Sequence, residues 1–134
     1  MGTQDNKELI RKILAEIVQG NVESLFESIS DEVVWEFPNP DNKLAIREVY
    51  KGRDGTTQLL EDLGALSEIT VFEPLEFIAE GETVVVIVHE ESRAKSTGEQ
   101  FEQDMVQVWT IRDGKITRCR VFEDTYSAVK VFAS

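Results

Sequence analysis

The sequence predicts an α+β fold in which N-terminal helices cover one face of a strongly curved, mixed or antiparallel sheet. In the last third of the chain, two long hydrophobic stretches are joined by Asp113-Gly114, a dipeptide that favours a tight hairpin turn. A second turn signal, Ser96-Thr97-Gly98, adds a third long strand over residues 83–95. Apolar residues in the first half recur at helical spacing instead. These three observations predict the fold class.

The N-terminal half is predicted to form three helices and one short strand. Asp5 is predicted to be the N-cap of the first helix, because Glu8 follows three residues later as in a capping box, and Gly20 ends this helix. A short second helix follows, and residues 33–37 form a brief strand. Asp54 is predicted to cap the third helix, which carries a stripe of leucines.

The C-terminal half is predicted to be strand and turn from residue 69 to residue 124. Pro74 within this region indicates a bulge or an edge, because proline cannot donate to a sheet ladder. Residues 126–132 are predicted to form one closing helical turn. A bent sheet with helices on its concave side leaves a cone-shaped cavity, and a second copy of the chain is the simplest cover for the outer face.

The composition favours one soluble domain over residues 1–134, a size that buries enough surface to fold without disulfides. Lys and Arg number 14 against 26 Asp and Glu, which gives a net charge of −12. Proteins that bind nucleic acid or anionic membranes rely on clustered Lys and Arg. We therefore expect neither nucleic acid nor membrane as a partner.

One cysteine and one histidine are too few for a zinc site of four cysteines or of two cysteines and two histidines. No glycine-rich phosphate loop or other cofactor motif is found, so we expect no metal and no cofactor. No apolar run reaches the roughly 18 residues of a membrane span, and no signal peptide is recognised. Together with the single cysteine, this predicts a cytoplasmic protein.

A two-residue turn at Asp113-Gly114 sets which residues face each other across the hairpin. The inner face is then predicted to be small and apolar, with an acidic pair at one end: Val106, Val108, Cys119, Val121, Asp104 and Glu123. The outer face mixes aromatic, arginine and amide side chains, a composition typical of protein interfaces. We expect a homodimer contact there, formed by Met105, Gln107, Trp109, Arg118, Arg120 and Phe122.

Extending this register to the preceding strand places His89 and Glu91 on the same side as Asp104 and Glu123. Carboxyl groups near an imidazole on an apolar wall perturb one another's pKa, as general acid–base chemistry requires. We therefore predict His89, Asp104 and Glu123 as catalytic residues. A bulge would reverse the parity and bring in Glu90 instead, and solvated charges at strand ends would need no role.

The remaining pocket residues are predicted to bind a small hydrophobic molecule. Trp35 and Phe37 alternate on a short strand, where they are pocket wall or plain core. Tyr50 either anchors the third helix or offers its hydroxyl to a ligand. The predicted ligand-binding set is Trp35, Phe37, Tyr50, Glu91, Val106, Val108, Cys119 and Val121.

The order of elements and several stretches resemble the SnoaL-like branch of the nuclear transport factor 2-like superfamily, which includes ketosteroid isomerases, polyketide cyclases and limonene epoxide hydrolases. The stretches are S-D-E-V-V-W-E-F-P, Y-K-G-R-D-G, F-I-A-E-G-E-T-V-V-V and V-W-T-I-R-D-G-K-I-T-R-C-R-V-F-E-D-T. The resemblance implies a cystatin-like curved sheet with a conical pocket, and usually a dimer. It does not specify an activity.

An ungapped match to the ketosteroid isomerases places hydrocarbon side chains at the three catalytic positions. The general base falls on Phe37, the tyrosine of the oxyanion hole on Ile13, and the protonated aspartic acid on Val106. Since that isomerisation needs a carboxylate base and two acidic donors, true steroid isomerase activity is not expected.

The cyclases of the family keep an acidic residue near the end of the last strand, which corresponds here to Asp124 or to Glu123. Three functions stay open: a cofactor-free isomerase, lyase or cyclase, or hydrolase; a non-catalytic module that binds a hydrophobic metabolite; and a dimeric interaction domain.

Overall fold

The computed structural model describes residues 2–38 and 44–132 and confirms the α+β class. The helices are α1 (Thr3–Val18), α2 (Glu23–Ser28), α3 (Gly52–Leu66) and α4 (Thr125–Phe132). The strands are β1 (Ile29–Glu36), β2 (Val49–Lys51), β3 (Ser67–Glu80), β4 (Thr83–Ala94), β5 (Gln100–Arg112) and β6 (Lys115–Phe122). In the described part of the chain, no helix has the length and apolarity that crossing a membrane requires.

The strands form one curved, open sheet in the order β2-β1-β6-β5-β4-β3. Neighbouring strands are antiparallel except β1 and β6, which are parallel. The sheet is therefore mixed, and α1 and α3 cover its concave face. Ile10, Ile13 and Leu14 of α1 belong to the same buried cluster as Val84 and Val86 of β4.

Two predicted helix N-caps, Asp5 and Asp54, are wrong by three residues, since the observed N-caps are Gly2 and Lys51. The N-cap of α1 is Gly2, and Asp5 lies in the first turn, where its Oδ2 accepts a hydrogen bond of 3.1 Å from the Gly2 N–H. Similarly, α3 begins at Gly52, and Asp54 lies in its first turn. An acidic residue stabilises a helix both as cap and within the first turn, so the pattern alone could not separate the two positions.

The β5–β6 hairpin has the predicted turn, with positive φ angles at Asp113 (52°) and Gly114 (77°). The first pairs have the predicted register, and Ile111 faces Ile116. Beyond them β6 contains one extra residue, Thr117, so Thr110 faces Arg118. This β-bulge makes the predicted pairing wrong along the rest of the hairpin.

The turn between β4 and β5 is longer than predicted. The Ala94 N–H donates to the Glu99 carbonyl at 2.9 Å, and His89 faces Asp104. The register between β4 and β5 differs from the predicted one by two residues. Because side chains alternate with a period of two, the residues of β4 and β5 that share a face are the same as predicted. The predicted irregularity at Pro74 is confirmed as a register shift between Pro74 and Glu76.

Candidate functional site

A cavity of about 560 Å³ lies between the concave face of the sheet and the helices. Its walls come from α1, α3, α4 and the concave sides of the strands, and apolar side chains dominate them. Six aromatic rings line it: Trp35, Phe37, Phe72, Phe101, Trp109 and Phe132. A concave, largely apolar cavity with a few polar groups is the usual form of a small-molecule site.

The two tryptophans form a rigid part of this wall. Their rings meet edge to face, with centroids 5.5 Å apart. The Trp35 Nε1–H donates to Thr56 Oγ1 at 2.8 Å, and the Trp109 Nε1–H donates to Gln107 Oε1 at 3.1 Å. Both indole N–H groups are thus satisfied within the protein, which leaves aromatic carbon facing the cavity.

Three polar side chains interrupt the apolar wall at one end of the sheet, and we call Glu90, Gln103 and Glu123 the polar patch. Glu90 on β4 and Gln103 on β5 are directly paired across the ladder. Glu123 follows the last residue of β6. The three groups therefore come from three adjacent segments that share the concave face.

The two carboxyl groups of the polar patch hold their protons more strongly than ordinary glutamates. Burial, with the charge of Glu90 as a second cause, raises the pKa of Glu123 to about 7. Burial also raises the pKa of Glu90, while nearby Ser92 partly offsets that effect. Burial and the charge of Glu90 together let Glu123 keep its proton until near-neutral pH.

Asp124 faces away from the cavity and has a structural role. Its Oδ1 accepts the Ser127 N–H at 3.0 Å, and its Oδ2 accepts the Ser127 hydroxyl at 2.7 Å. These bonds, which lower the pKa of Asp124, cap the first turn of α4. Of the two acidic residues that competed for the site, Glu123 lines the cavity.

The structure places five of the predicted site residues on the cavity wall: Trp35, Phe37, Cys119, Val121 and Glu123. Trp35 and Cys119 face each other on the parallel strands β1 and β6. Burial raises the pKa of the Cys119 thiol well above its ordinary value, so this cysteine packs as a small neutral group.

The prediction that the even-numbered residues of β5 face the cavity is wrong. Asp104, Val106 and Val108 of β5 lie on the outer face. His89 and Glu91 of the neighbouring strand β4 lie on the same outer face. Conversely, three residues predicted for an outer dimer contact line the cavity: Met105, Gln107 and Trp109. The bulge at Thr117 is the cause, because one extra residue in β6 reverses which face of β5 matches the inward side of β6.

His89, Glu91 and Asp104 do come together, but on the outer face and away from Glu123; we call them the outer cluster. His89 Nδ1 lies 2.8 Å from Asp104 Oδ1, and its Nε2 lies 2.9 Å from Glu91 Oε2. Hydrogen bonds to Asp104 and then to Glu91 raise the pKa of His89 to about 9. The imidazole is therefore a cation at neutral pH.

His89, Glu91 and Glu102 could each offer a ligand atom to a metal ion, since these atoms lie within 4.8 Å of one another. Both ring nitrogens of His89 already contact carboxylates, however, and a protonated imidazole cannot ligate a metal. The arrangement is accounted for by ion pairing.

Tyr50 lies outside the cavity wall, contrary to its predicted place in the ligand-binding set. Its hydroxyl donates to Asp62 Oδ2 at 2.6 Å and accepts the Arg47 N–H at 2.9 Å. Burial, together with the Asp62 hydrogen bond, raises the Tyr50 pKa. The alternative that this tyrosine anchors the third helix accounts for its contacts.

Comparison with known proteins identifies the family. The model of the SnoaL-like domain matches residues 10–119, which is most of the chain. The protein belongs to the SnoaL-like family. Among curated proteins, none matches the chain significantly.

Solved structures share this fold over 86% to 98% of the chain. A nuclear transport factor 2-like protein from Burkholderia xenovorans is 29% identical, with 98% of each chain covered and a TM-score of 0.87. TerC, crystallised with polyporic acid, is 28% identical over 96% of this chain and 98% of its own, with a TM-score of 0.84. A candidate SnoaL-like polyketide cyclase from Mesorhizobium loti is 19% identical over 86% and 96%, with a TM-score of 0.73, and shares the fold. The family and these relatives fit a protein with a small-molecule pocket.

Of the polar patch, only Glu123 was predicted from the sequence as a site residue. Glu90 was kept as an alternative, and Gln103 was missed. Glu90 ends the run V-V-V-I-V-H-E, whose uninterrupted apolar character gives no inward-or-outward signal. Gln103 was assigned to no site. The available signal was its position two residues before buried Met105 on the same strand, since alternate residues share a face. That signal is usable only if it is known which residues of β5 point inward.

Proposed function

We propose that the protein binds a flat, largely aromatic small molecule in the cavity and catalyses proton transfer on it with Glu90 and Glu123. The observation that carries this proposal is the pair of carboxyl groups with raised pKa on an otherwise apolar wall. Glu90 serves as the base and Glu123 as the acid. The proposed chemistry uses only side chains of the chain itself.

The ligand class follows from the shape and chemistry of the wall. Six aromatic rings surround the cavity, and rings favour flat aromatic partners through stacked and edge-to-face contacts. Apart from the acidic residues of the polar patch, no charged side chain lines the described part of the cavity, so a highly charged ligand would lack a counter-ion. The co-crystallisation of TerC with polyporic acid supports an aromatic ligand.

The acid role falls to Glu123, because its pKa of about 7 keeps its proton in place near pH 6. Its neighbour Glu90 is proposed to act as a carboxylate that removes a proton from the ligand, and Glu123 returns a proton at another atom. Two carboxyl groups with pKa values pushed apart by their surroundings are a recurrent solution for acid–base catalysis near neutral pH. The net reaction is an isomerisation, and cyclisation or lyase steps can begin with the same proton removal.

Proton transfer can be tested with 2-tetralone, a bicyclic aromatic ketone with acidic C–H groups. In D₂O at pH 6, the wild-type protein is expected to accelerate exchange of the C1 protons, followed by ¹H NMR, above the rate in buffer. Glu90→Gln and Glu123→Gln should each lower the catalysed rate by about 100-fold or more. The rate should also fall above about pH 7, where Glu123 loses its proton.

Glu91→Gln is the matched control, because Glu91 is the next residue of β4 and belongs to the outer cluster. It should leave the exchange rate unchanged. Equal losses in Glu90→Gln and Glu91→Gln would contradict the assigned base, and a wild-type rate no higher than that of buffer would remove proton transfer from the proposal.

Binding can be tested independently with polyporic acid. Both tryptophans of the sequence, Trp35 and Trp109, lie on the cavity wall, so quenching of intrinsic fluorescence reports occupancy directly. We expect saturable quenching. Leu59, also on that wall, can be changed to Trp to fill the cavity; the same affinity in Leu59→Trp and wild type would contradict binding there.

We further propose that the outer face mediates a homodimer, with a composition different from the predicted one. Half-buried apolar side chains of β4 and β5 form its centre: Val85, Ile87, Val106 and Val108. On the β6 side Arg118 and Arg120 share the carboxylate of Glu36, which leaves one positive charge. On the other side Glu91 and Asp104 share His89, which leaves one negative charge. A two-fold axis through the apolar centre brings the basic side of one copy over the acidic side of its partner.

Sedimentation velocity tests this contact. The wild type is expected to sediment as a dimer at tens of micromolar, and Val108→Asp as a monomer, because a charge would be buried at the centre of the contact. Leu75→Asp, an exposed apolar position at the β3 bulge, should stay dimeric. A monomeric wild type would overturn the homodimer.

A further inference from the structure

We infer that Gln103 is a hydrogen-bond donor for an oxygen of the ligand, so that the substrate is an aromatic carbonyl compound whose C=O group faces the polar patch. This inference rests on the proposed function and names the substrate class for the same site.

The orientation of the Gln103 amide is fixed by its partner. Gln103 Oε1 accepts the Asp124 N–H at 3.0 Å. Since a backbone N–H can only donate, the carbonyl oxygen of the side chain must face Asp124, and the NH₂ group must point the other way. The side chain of Gln103 is thereby anchored at the start of α4.

The NH₂ group of Gln103 has no acceptor within hydrogen-bond distance among residues 2–38 and 44–132. The residue is nonetheless only 6% exposed and lies on the cavity wall. Its Nε2 is not fully enclosed by protein atoms, so the NH₂ group opens onto the cavity, where it can donate a hydrogen bond. An oxygen of the bound molecule supplies the missing acceptor.

Gln107, on the same face of β5, shows the contrast. Its Oε1 accepts the Trp109 indole N–H at 3.1 Å, and its Nε2 lies 3.8 Å from Met105 Sδ, a weak acceptor. Both ends of this amide contact neighbouring side chains. Gln107 therefore supports the aromatic wall, whereas Gln103 keeps a donor for the ligand.

The position of Gln103 suits a carbonyl oxygen at the reacting centre. It is the direct cross-strand partner of Glu90, and the residue it anchors is next to Glu123. Glu90 removes a proton from the carbon beside the C=O group, and the C–H electron pair forms a C=C bond. The π electrons of the C=O group move to oxygen, which takes the proton of Glu123 and gives an enol. The Gln103 N–H stabilises the negative charge that develops on this oxygen.

Two probes of nearly equal shape test the donor: 2-acetylnaphthalene carries a carbonyl oxygen, and 2-ethylnaphthalene does not. Their dissociation constants are measured by isothermal titration calorimetry. The wild type is expected to bind the acetyl compound about 5- to 10-fold more tightly, and Gln103→Met should bind the two equally. The C=O stretch of the bound acetyl compound should shift to lower wavenumber in the wild type and return toward its free value in Gln103→Met.

Two further variants separate this role from a structural one. Gln103→Glu keeps an acceptor for the Asp124 N–H but lacks the NH₂ group. Because a carboxyl group beside Glu90 and Glu123 can keep a proton and donate it, this variant is measured at pH 9, where its ionised form should lose the preference for the carbonyl probe. Gln100→Met makes the same chemical change on β5 at an exposed position and should keep the preference.

The outcomes distinguish the two proposals. If the wild type binds both probes equally, or if Gln103→Met keeps the preference and the shifted C=O stretch, the donor role is overturned while the aromatic cavity stands. If the wild type binds neither probe, the proposed binding function fails and the donor role fails with it.

Discussion

Acidic side chains lie on both faces of the sheet, and the two faces affect their ionisation in opposite ways. The polar patch on the concave face holds two carboxyl groups whose pKa burial raises, Glu90 and Glu123, and Glu123 keeps its proton until about pH 7. The outer cluster, one residue away along β4, holds a histidine that keeps its proton, because Asp104 and Glu91 raise its pKa to about 9. Neighbouring residues of one strand thus differ: burial disfavours the charge of Glu90 on the concave face, whereas His89 and Glu91 form an ion pair on the outer face.

The difference shows that the environment of each face, rather than the residue types, sets the chemistry. Inside, no basic side chain lines the described cavity, so a carboxylate has no counter-ion there and burial raises its pKa. Outside, the imidazole lies between two carboxylates, and its positive charge balances one of their two negative charges. Acid–base chemistry on an apolar ligand therefore suits the inner group.

Of the variants that test this difference between the two faces, Trp109→Ala is expected to lower the stability most. The indole is 2% exposed and contacts Trp35, so its removal should lower the free energy of unfolding by about 3 kcal/mol. Val108→Ala changes the preceding residue, which lies on the opposite face. It should lower the free energy of unfolding by well under half that amount. Urea denaturation of both variants measures the difference, and equal losses would contradict the assignment of faces.

Glu123 should make the protein less stable as the pH rises. Its folded pKa of about 7 lies above the ordinary value of 4.5, so the folded state binds the extra proton between these values. The stabilisation is complete below pH 4.5 and is lost as the pH rises through 7, by at most about 3 kcal/mol. Unfolding free energies between pH 5 and 8 should therefore fall more steeply in the wild type than in Glu123→Gln.

His89 should give the smallest effect and a different pH window. Because its folded pKa is raised from 6.5 to about 9, its stabilising contribution is complete below pH 6.5 and is lost as the pH rises through 9. The sequence has one histidine, so its NMR titration is unambiguous. The midpoint should move to lower pH in Asp104→Asn and stay in place in Glu90→Gln; an unperturbed midpoint in the wild type would contradict the outer cluster.

The sequence predicted the architecture because the relevant signals are local. Helical spacing in α1, the Asp113-Gly114 turn and the irregularity at Pro74 each depend on a few neighbouring residues. The aromatic wall residues Trp35 and Phe37 were found for the same reason, since strict alternation on a short strand marks one face.

The faces of β5 could not be predicted in the same way. Met105, Val106, Gln107, Val108 and Trp109 offer no clean alternation of polar and apolar residues, so the assignment depended on register alone. The register at the site depends on every residue between the turn and the site. The extra residue Thr117 lies in that stretch and has no sequence signal of its own. Pairing argued from a turn is reliable close to that turn and loses its value beyond the first bulge.

The extra residue Thr117 shapes the cavity without contributing a side chain to its wall. Removing it would join Ile116 directly to Arg118 and leave Thr110 opposite Arg118 and Trp109 opposite Cys119, as they are now. Cys119 and Val121 would therefore still face inward, whereas the local bend and the added twist of β6 would be lost. A one-codon deletion here would thus change the curvature of the wall while leaving its chemistry intact.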